Sequence, residues 1–405
     1  MMSAVHPPRP ARRRSAWLVV ATTLGVLAAC SAGSDRAERP ATTAATTAAV
    51  TTTVTFQPRV AATPIEYPAQ PPGVAWPTEE WPTGPLPAGV RRADVDAVVD
   101  RAFGELSADP HATTDAVLVV QGGRIVAERY RPGFGDRTTV HRSWSMAKSF
   151  TQALVGILVR EGRLDIYAPA PVPEWSSPDD PRHAITTDQL LRMASGLQWT
   201  ESYSGTGDVI TLLFGAGKHD MAHYAASKPL AAPPDTKVAY STGTSNIVAG
   251  IVGGVVGRGE PYHRFVDDEL LRPIGIDPAR TALGWDGVGN LVGGSIFDLT
   301  ARDFARFGLL YLRGGSWDGR QIVPQGWVDY GRTPTPPPHG QPTYGAHWWT
   351  YEDCPGGFRA GGFNGQHIVL CPSLDLIVVV LSNRGDGKDG QVRDDLVHVF
   401  RDEMR

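Results

Sequence analysis

The chain has 405 residues, 41% of them apolar and 20% charged, with 38 Lys and Arg against 42 Asp and Glu and a formal net charge of −4. This balance suits a globular chain with a large core. It excludes an electrostatic grip on nucleic acid, which needs clustered Lys and Arg to neutralise phosphates, and three cysteines are too few for a disulfide-built mini-fold or a zinc ribbon.

Arg12, Arg13 and Arg14 precede an apolar run from Trp17 to Ala29, shorter than the ~20 helical residues that span a bilayer. Residues 1–29 therefore read as a signal peptide. Its end, Leu27-Ala28-Ala29-Cys30, resembles the bacterial lipobox, where cleavage leaves an N-terminal cysteine that carries lipid. The resemblance implies an anchor at Cys30 on the outer face of the cytoplasmic membrane; the alternative is an ordinary secretory signal and a released protein. From Ser31 to about Thr53 the chain is Ala/Thr/Ser-rich and buries too little apolar surface to offset backbone ordering, so it reads as a tether. Prolines with Trp76 and Trp81 then suggest an extended lead-in up to residue 87, and the folded domain is placed at residues 88–405.

Val95, Val98, Val99, Ala102, Phe103 and Leu106 recur at helical spacing. Ala116 to Val120 and Ile125 to Tyr130 are β-rich runs joined by Gln121-Gly122-Gly123, and near the other end Phe358 to Phe363 and Gln366 to Cys371 flank an Asn364-Gly365 turn before the apolar run Leu374 to Leu381. Between them, from about residue 164 to 313, stretches such as Thr187 to Met193, Ser245 to Val256 and Thr300 to Leu312 read helical. The expected fold is α/β of the α+β kind: an antiparallel sheet from both chain ends, flanked by helices, with a mainly helical inserted subdomain.

Chemistry concentrates at Ser145-Met146-Ala147-Lys148. One turn apart on a helix, the amine can reach the hydroxyl and take its proton. The following pattern Phe150, Leu154, Ile157, Leu158 puts Ser145 at a helix N-terminus, where free amides and the dipole favour developing negative charge. The plainer alternative is that Ser145 only caps that helix.

Ser145-x-x-Lys148, Leu190 to Leu197, Tyr240-Ser241-Thr242-Gly243-Thr244-Ser245-Asn246 and Ala360-Gly361-Gly362-Phe363-Asn364-Gly365-Gln366 follow one another as in the serine β-lactamase and penicillin-binding superfamily. From about Val90 onward the chain resembles its class C-related esterases and 6-aminohexanoate-dimer hydrolase branch, with further matches at Trp199 to Tyr203, Thr300 to Gly308 and Tyr344 to Trp349. The resemblance implies a β-lactamase/transpeptidase-like fold, Ser145 as acyl-forming nucleophile, Lys148 as proton acceptor, Tyr240 as second acid/base, and an oxyanion hole of the Ser145 and Phe363 backbone amides. Thr242, Gly361, Gly362, Glu201 and Tyr203 are expected at the substrate; Glu201 and Tyr203 equally fit a cap carboxylate and a packed aromatic. No cofactor, metal, nucleic acid or obligate protein partner is implied.

The superfamily's third motif usually opens with Lys or His, and Ala360 stands there. If Ala360 faces the cleft, alternation turns Arg359 away, and a cleft without that cation should prefer neutral esters or small linear amides to penicillins. The expected activity is an exported serine hydrolase acting on a small ester or amide, with a β-lactamase or D-Ala-D-Ala peptidase, and a non-catalytic surface-binding lipoprotein, as alternatives. His219 and His223 have zinc-like spacing, but Asp220 follows His219 where a Glu would be needed. With Cys30 lipidated, Cys354 and Cys371 are the remaining thiols and are expected to pair; the alternative is two free buried thiols.

Overall fold

The computed structural model describes residues 54–59, 64–104, 113–133, 135–335, 343–384 and 389–404. The expected signal peptide, Cys30 and the tether lie outside the described residues. The five β-rich runs become β1 (Thr113–Gln121), β2 (Arg124–Tyr130), β4 (Gly357–Gly362), β5 (Gln366–Cys371) and β6 (Leu376–Arg384), and a short strand that the sequence reading did not name, β3 (Trp349–Tyr351), joins them. They form one antiparallel sheet in the order β2-β1-β6-β5-β4-β3. The two chain ends meet at β1 and β6, where Val117 opposes Val380 and Val119 opposes Val378.

Alternation along these strands feeds two cores. Helices α1 (Arg92–Phe103), α2 (Ala147–Arg160), α3 (Thr242–Val256), α4 (Ala301–Leu312) and α5 (Asp389–Glu403) supply the cover. On one face Val117, Val119, Val369 and Val378 pack with Val95 and Val99 of α1 and with Leu396 and Phe400 of α5. On the other, Leu118, Ile368, Ile377 and Val379 join a core that includes Phe150 of α2 and Phe304 and Phe307 of α4. Phe150 stacks between Phe307 and Phe297, with centroids 3.6 and 4.2 Å away.

Most of the regular structure in the stretch read as a helical insertion is helical, with two departures. Ala282–Leu283 and Phe297–Thr300 are short strands, the latter also paired with Val140–His141. α4 lies on the sheet, because its buried face meets β1, β5 and β6, and Thr300 caps it by accepting a hydrogen bond from the Asp303 amide. Cys354, in the turn between β3 and β4, is bridged to Cys371 at the end of β5, with Cα atoms 5.7 Å apart. Among the described residues no helix is long and apolar enough to cross a membrane.

Candidate active site

Ser145 sits in a single 3-10 turn, Trp144–Met146, that runs directly into α2. Trp144 holds φ +44°, a left-handed value uncommon for a bulky residue, so the turn that presents the hydroxyl is strained. One helical turn on, the Lys148 side chain is buried at 1% exposure. Its ammonium donates to Ser145 Oγ at 3.1 Å, to Thr242 Oγ1 at 3.1 Å and to the Gly294 carbonyl at 2.8 Å. Three donors thus meet three neutral acceptors, and Lys148 has no salt-bridge partner among the described residues. Burial pulls its pKa down to about 8, against the opposing pull of the Glu201 charge.

Tyr240 immediately precedes Ser241, whose hydroxyl caps α3 by accepting from the Thr244 amide. The Lys148 ammonium lies 4.9 Å from the Tyr240 ring centroid. Burial raises the phenol well above its ordinary range, and hydrogen bonding with Ser145 and the charge of Arg359 only partly offset this. The phenol therefore stays protonated at any ordinary pH and is available as a hydrogen-bond donor. Its ring is held by Tyr344 edge-on and Trp349 face-on, each centroid 5.6 Å away.

Ser145 and Tyr240 open on a cleft of about 250 Å³ lined also by Tyr203, Trp349, Arg359, Gly361, Gly362, Phe363 and His367. Tyr203 stacks on the exposed Phe363 ring, centroids 4.9 Å apart and planes within 11°, to form one wall. β4 reaches the nucleophile turn through Gly362. A Cβ there would lie 2.4 Å from the Ser143 carbonyl oxygen, so only glycine allows this approach. The same approach sets Phe363 edge-on to Trp144, with centroids 5.7 Å apart.

The Beta-lactamase family model matches residues 99–401. The chain belongs to this family. It is 29% identical over 307 residues, 67% of this chain and 73% of the other, to the 6-aminohexanoate-dimer hydrolase of Paenarthrobacter ureafaciens. Among solved structures, a Bacillus anthracis protein provisionally assigned as a 6-aminohexanoate-dimer hydrolase superposes with TM-score 0.64 at 22% identity, covering 80% of this chain and 89% of its own. A penicillin-binding protein homologue from Caulobacter crescentus gives TM-score 0.60 at 17% identity, covering 79% and 99%. The α+β architecture is thus that of the β-lactamase-fold serine hydrolases.

Within that frame several side chains stand elsewhere than the β-lactamase-like motifs suggest. Ala360 faces the core at 1% exposure, level with Ile368, and it is Arg359 that shares the cleft side with Gly361. The phase of β4 is set by Phe358 and Ala360, which enter the apolar core together. The Arg359 guanidinium lies over Gly361 and 5.4 Å from the Trp349 ring centroid, with no salt bridge to any described residue. Burial and the nearby Arg393 lower its pKa to about 10.

Thr242 is fully buried and is not among the residues lining this cleft; its hydroxyl joins Lys148 to Glu201. Glu201 is likewise engaged internally. One carboxylate oxygen accepts from the Thr242 amide at 2.8 Å and the Trp199 indole at 2.5 Å, and the other from the Thr242 hydroxyl and, at 3.4 Å, the Tyr203 phenol. Tyr203, Gly361 and Gly362 line the cleft. His219 ends a 3-10 turn while His223 lies on the next helix, its Nδ1 2.6 Å from Glu174, so the two imidazoles do not share one helical face. Arg359, expected to face away from the cleft, lines it instead, while Trp349, His367 and the Gly294 carbonyl carried no signal in the sequence that marked them as site groups.

Proposed function

We propose that this chain is an exported serine hydrolase that cleaves an ester or amide bond through an acyl-enzyme on Ser145. The observation that carries the reading is Lys148 Nζ 3.1 Å from Ser145 Oγ, buried and free of any salt bridge among the described residues. Lowered to about 8, its pKa leaves an appreciable neutral fraction near neutral pH. Ser145 Oγ attacks the carbonyl carbon as its proton passes to Lys148 Nζ. The oxyanion faces the backbone amides of Ser145 and Phe363. Tyr240 gives its proton to the departing alcohol or amine and recovers one from Lys148. Water then attacks the ester carbon and gives its proton to Lys148, which passes one to Ser145 Oγ as the acyl C–O bond breaks, releasing the acid and the resting serine.

Arg359 turns the substrate expectation around. A cleft lined by a guanidinium without a salt bridge among the described residues favours an ester or amide that carries a carboxylate, by the ~1.5–3 kcal/mol of a charge-assisted hydrogen bond. The Paenarthrobacter ureafaciens relative, named for a dimer of 6-aminohexanoate, supports a linear amide of that kind. The same cation favours a second reading, a β-lactamase or D-Ala-D-Ala peptidase. Export with a lipid on Cys30 belongs to the proposal, and the Cys354–Cys371 bridge supports an oxidising compartment.

Fluorophosphonate labelling with intact-mass readout tests the reading. One adduct is expected, lost in Ser145→Ala, with kcat lowered at least about 100-fold in Lys148→Ala and Tyr240→Phe. No adduct on the wild type would leave a non-catalytic binding lipoprotein as the better reading. A panel of carboxylate-bearing amides, neutral esters and nitrocefin then ranks the substrate classes.

A further inference from the structure

An amine that acts as a base must aim its lone pair at the proton it takes, and the contacts of Lys148 decide where that lone pair goes. As an ammonium, Lys148 has three N–H groups for three acceptors: Ser145 Oγ, Thr242 Oγ1 and the Gly294 carbonyl. As a neutral amine it keeps two, and one contact must reverse, with the former acceptor now donating. The Gly294 carbonyl cannot donate. Ser145 and Thr242 both carry hydroxyl protons, and nothing in Lys148 itself distinguishes them, since both lie at 3.1 Å.

Glu201 removes the tie. A carboxylate only accepts, so the single hydroxyl proton of Thr242 is committed to Glu201. Glu201 is in turn fixed by the Thr242 amide and the Trp199 indole on its other oxygen. Thr242 Oγ1 is then an acceptor toward Lys148 in both of its protonation states. Of the three acceptors of Lys148, Ser145 is then the one able to donate to the lone pair. We propose that Glu201 is a positioning residue that, by holding the Thr242 hydroxyl proton, directs the lone pair of neutral Lys148 onto the Ser145 hydroxyl. The proposal rests on the serine-hydrolase reading above and assigns Glu201 no contact with substrate.

Two separate consequences follow. Orientation acts on the pH-independent rate, because a misdirected lone pair lowers the fraction of productive neutral enzyme. Charge acts on the pH profile, because Glu201 favours the ammonium and its loss moves the acid limb of kcat to lower pH. In Glu201→Gln the carbonyl can keep the Thr242 amide and Trp199 while the –NH₂ donates to Thr242 Oγ1. That frees the Thr242 proton to occupy the Lys148 lone pair.

The test measures acylation of Ser145 by a chromogenic ester from pH 5 to 10 in wild type, Glu201→Gln, Thr242→Val, Thr242→Ser and the Glu201→Gln/Thr242→Val double variant, each with its thermal midpoint. In Glu201→Gln the plateau is expected to fall about 10- to 100-fold while the acid limb moves down by roughly 0.5–1 pH unit. Thr242→Ser should stay within about threefold of wild type and Thr242→Val should lose what Glu201→Gln loses. The double variant should lose no more plateau than either single, since the carboxylate acts through the hydroxyl. Additive plateau losses, or a Glu201→Gln plateau equal to wild type, would overturn the proposal. So would a fall in plateau with an unmoved limb, the mark of a carboxylate that merely braces α3. If Glu201→Gln does not fold, the contrast between Thr242→Val and Thr242→Ser decides alone: equal rates refute. Wild type that is acylated at a residue other than Ser145 refutes the serine-hydrolase reading itself, a result distinct from all of these.

Discussion

Replacing Arg359 with Met keeps a stem of similar reach beside Trp349 and removes the cation. In the wild type the guanidinium is half-buried, lies over Gly361, and has no salt-bridge partner among the described residues, while Arg393 adds like charge. Two effects of opposite sign are therefore expected. Substrates with a carboxylate lose a charge-assisted contact, which at about 1.5–3 kcal/mol is roughly 10- to 150-fold in kcat/KM. The free protein loses a poorly compensated charge and gains about 1 kcal/mol, a rise of ~2 °C in Tm. The assay compares two linear amides that differ only in ending in a carboxylate or a primary amide, with calorimetry on both proteins. Equal losses for the two amides would show that Arg359 shapes the cleft rather than reading charge, and the substrate argument would fall.

The rate of acylation should rise with pH through about 8, because neutral Lys148 is the active form and burial sets its pKa there; a flat profile from pH 6 to 10 refutes that role. Gly362→Ala places a Cβ 2.4 Å from the Ser143 carbonyl oxygen. It must push β4 from the nucleophile turn, with kcat expected to fall about 10²-fold or more, as for loss of an oxyanion donor; wild-type kcat in a folded Gly362→Ala would remove Phe363 from the oxyanion hole. The Cys354–Cys371 bridge closes a loop of sequence separation 17, so reduction should cost about 3 kcal/mol. Intact mass after alkylation of denatured, unreduced protein should show neither thiol modified, and modification of both sinks the bridge.

Much of this molecule was legible one segment at a time. The Asn364-Gly365 hairpin, the Val-rich strands and the apolar periods of α1, α3 and α4 depend on neighbours along the chain, and their observed bounds fall within a few residues of those expected. Ser145 and Lys148 belong with them, since one helical turn brings three-residue neighbours together whatever the rest of the chain does. The Cys354–Cys371 bridge was also within reach, as both residues flank the same hairpin.

What tertiary structure decided is the chemistry around that pair. Alternation says that Arg359 and Ala360 point opposite ways, but not which of them meets the cleft. That phase was settled by Phe358 and Ala360 entering the core against β5, and it put the cation where the sequence had suggested none. Lys148 takes its other two acceptors from residues 94 and 146 positions away, and Glu201 reaches Thr242 across 41. Hydrogen-bond geometry on that scale is written by how α2, α3 and the loop at Gly294 pack. No local period or propensity encodes it, because each side chain's local preferences are satisfied equally well whether or not the distant partner arrives.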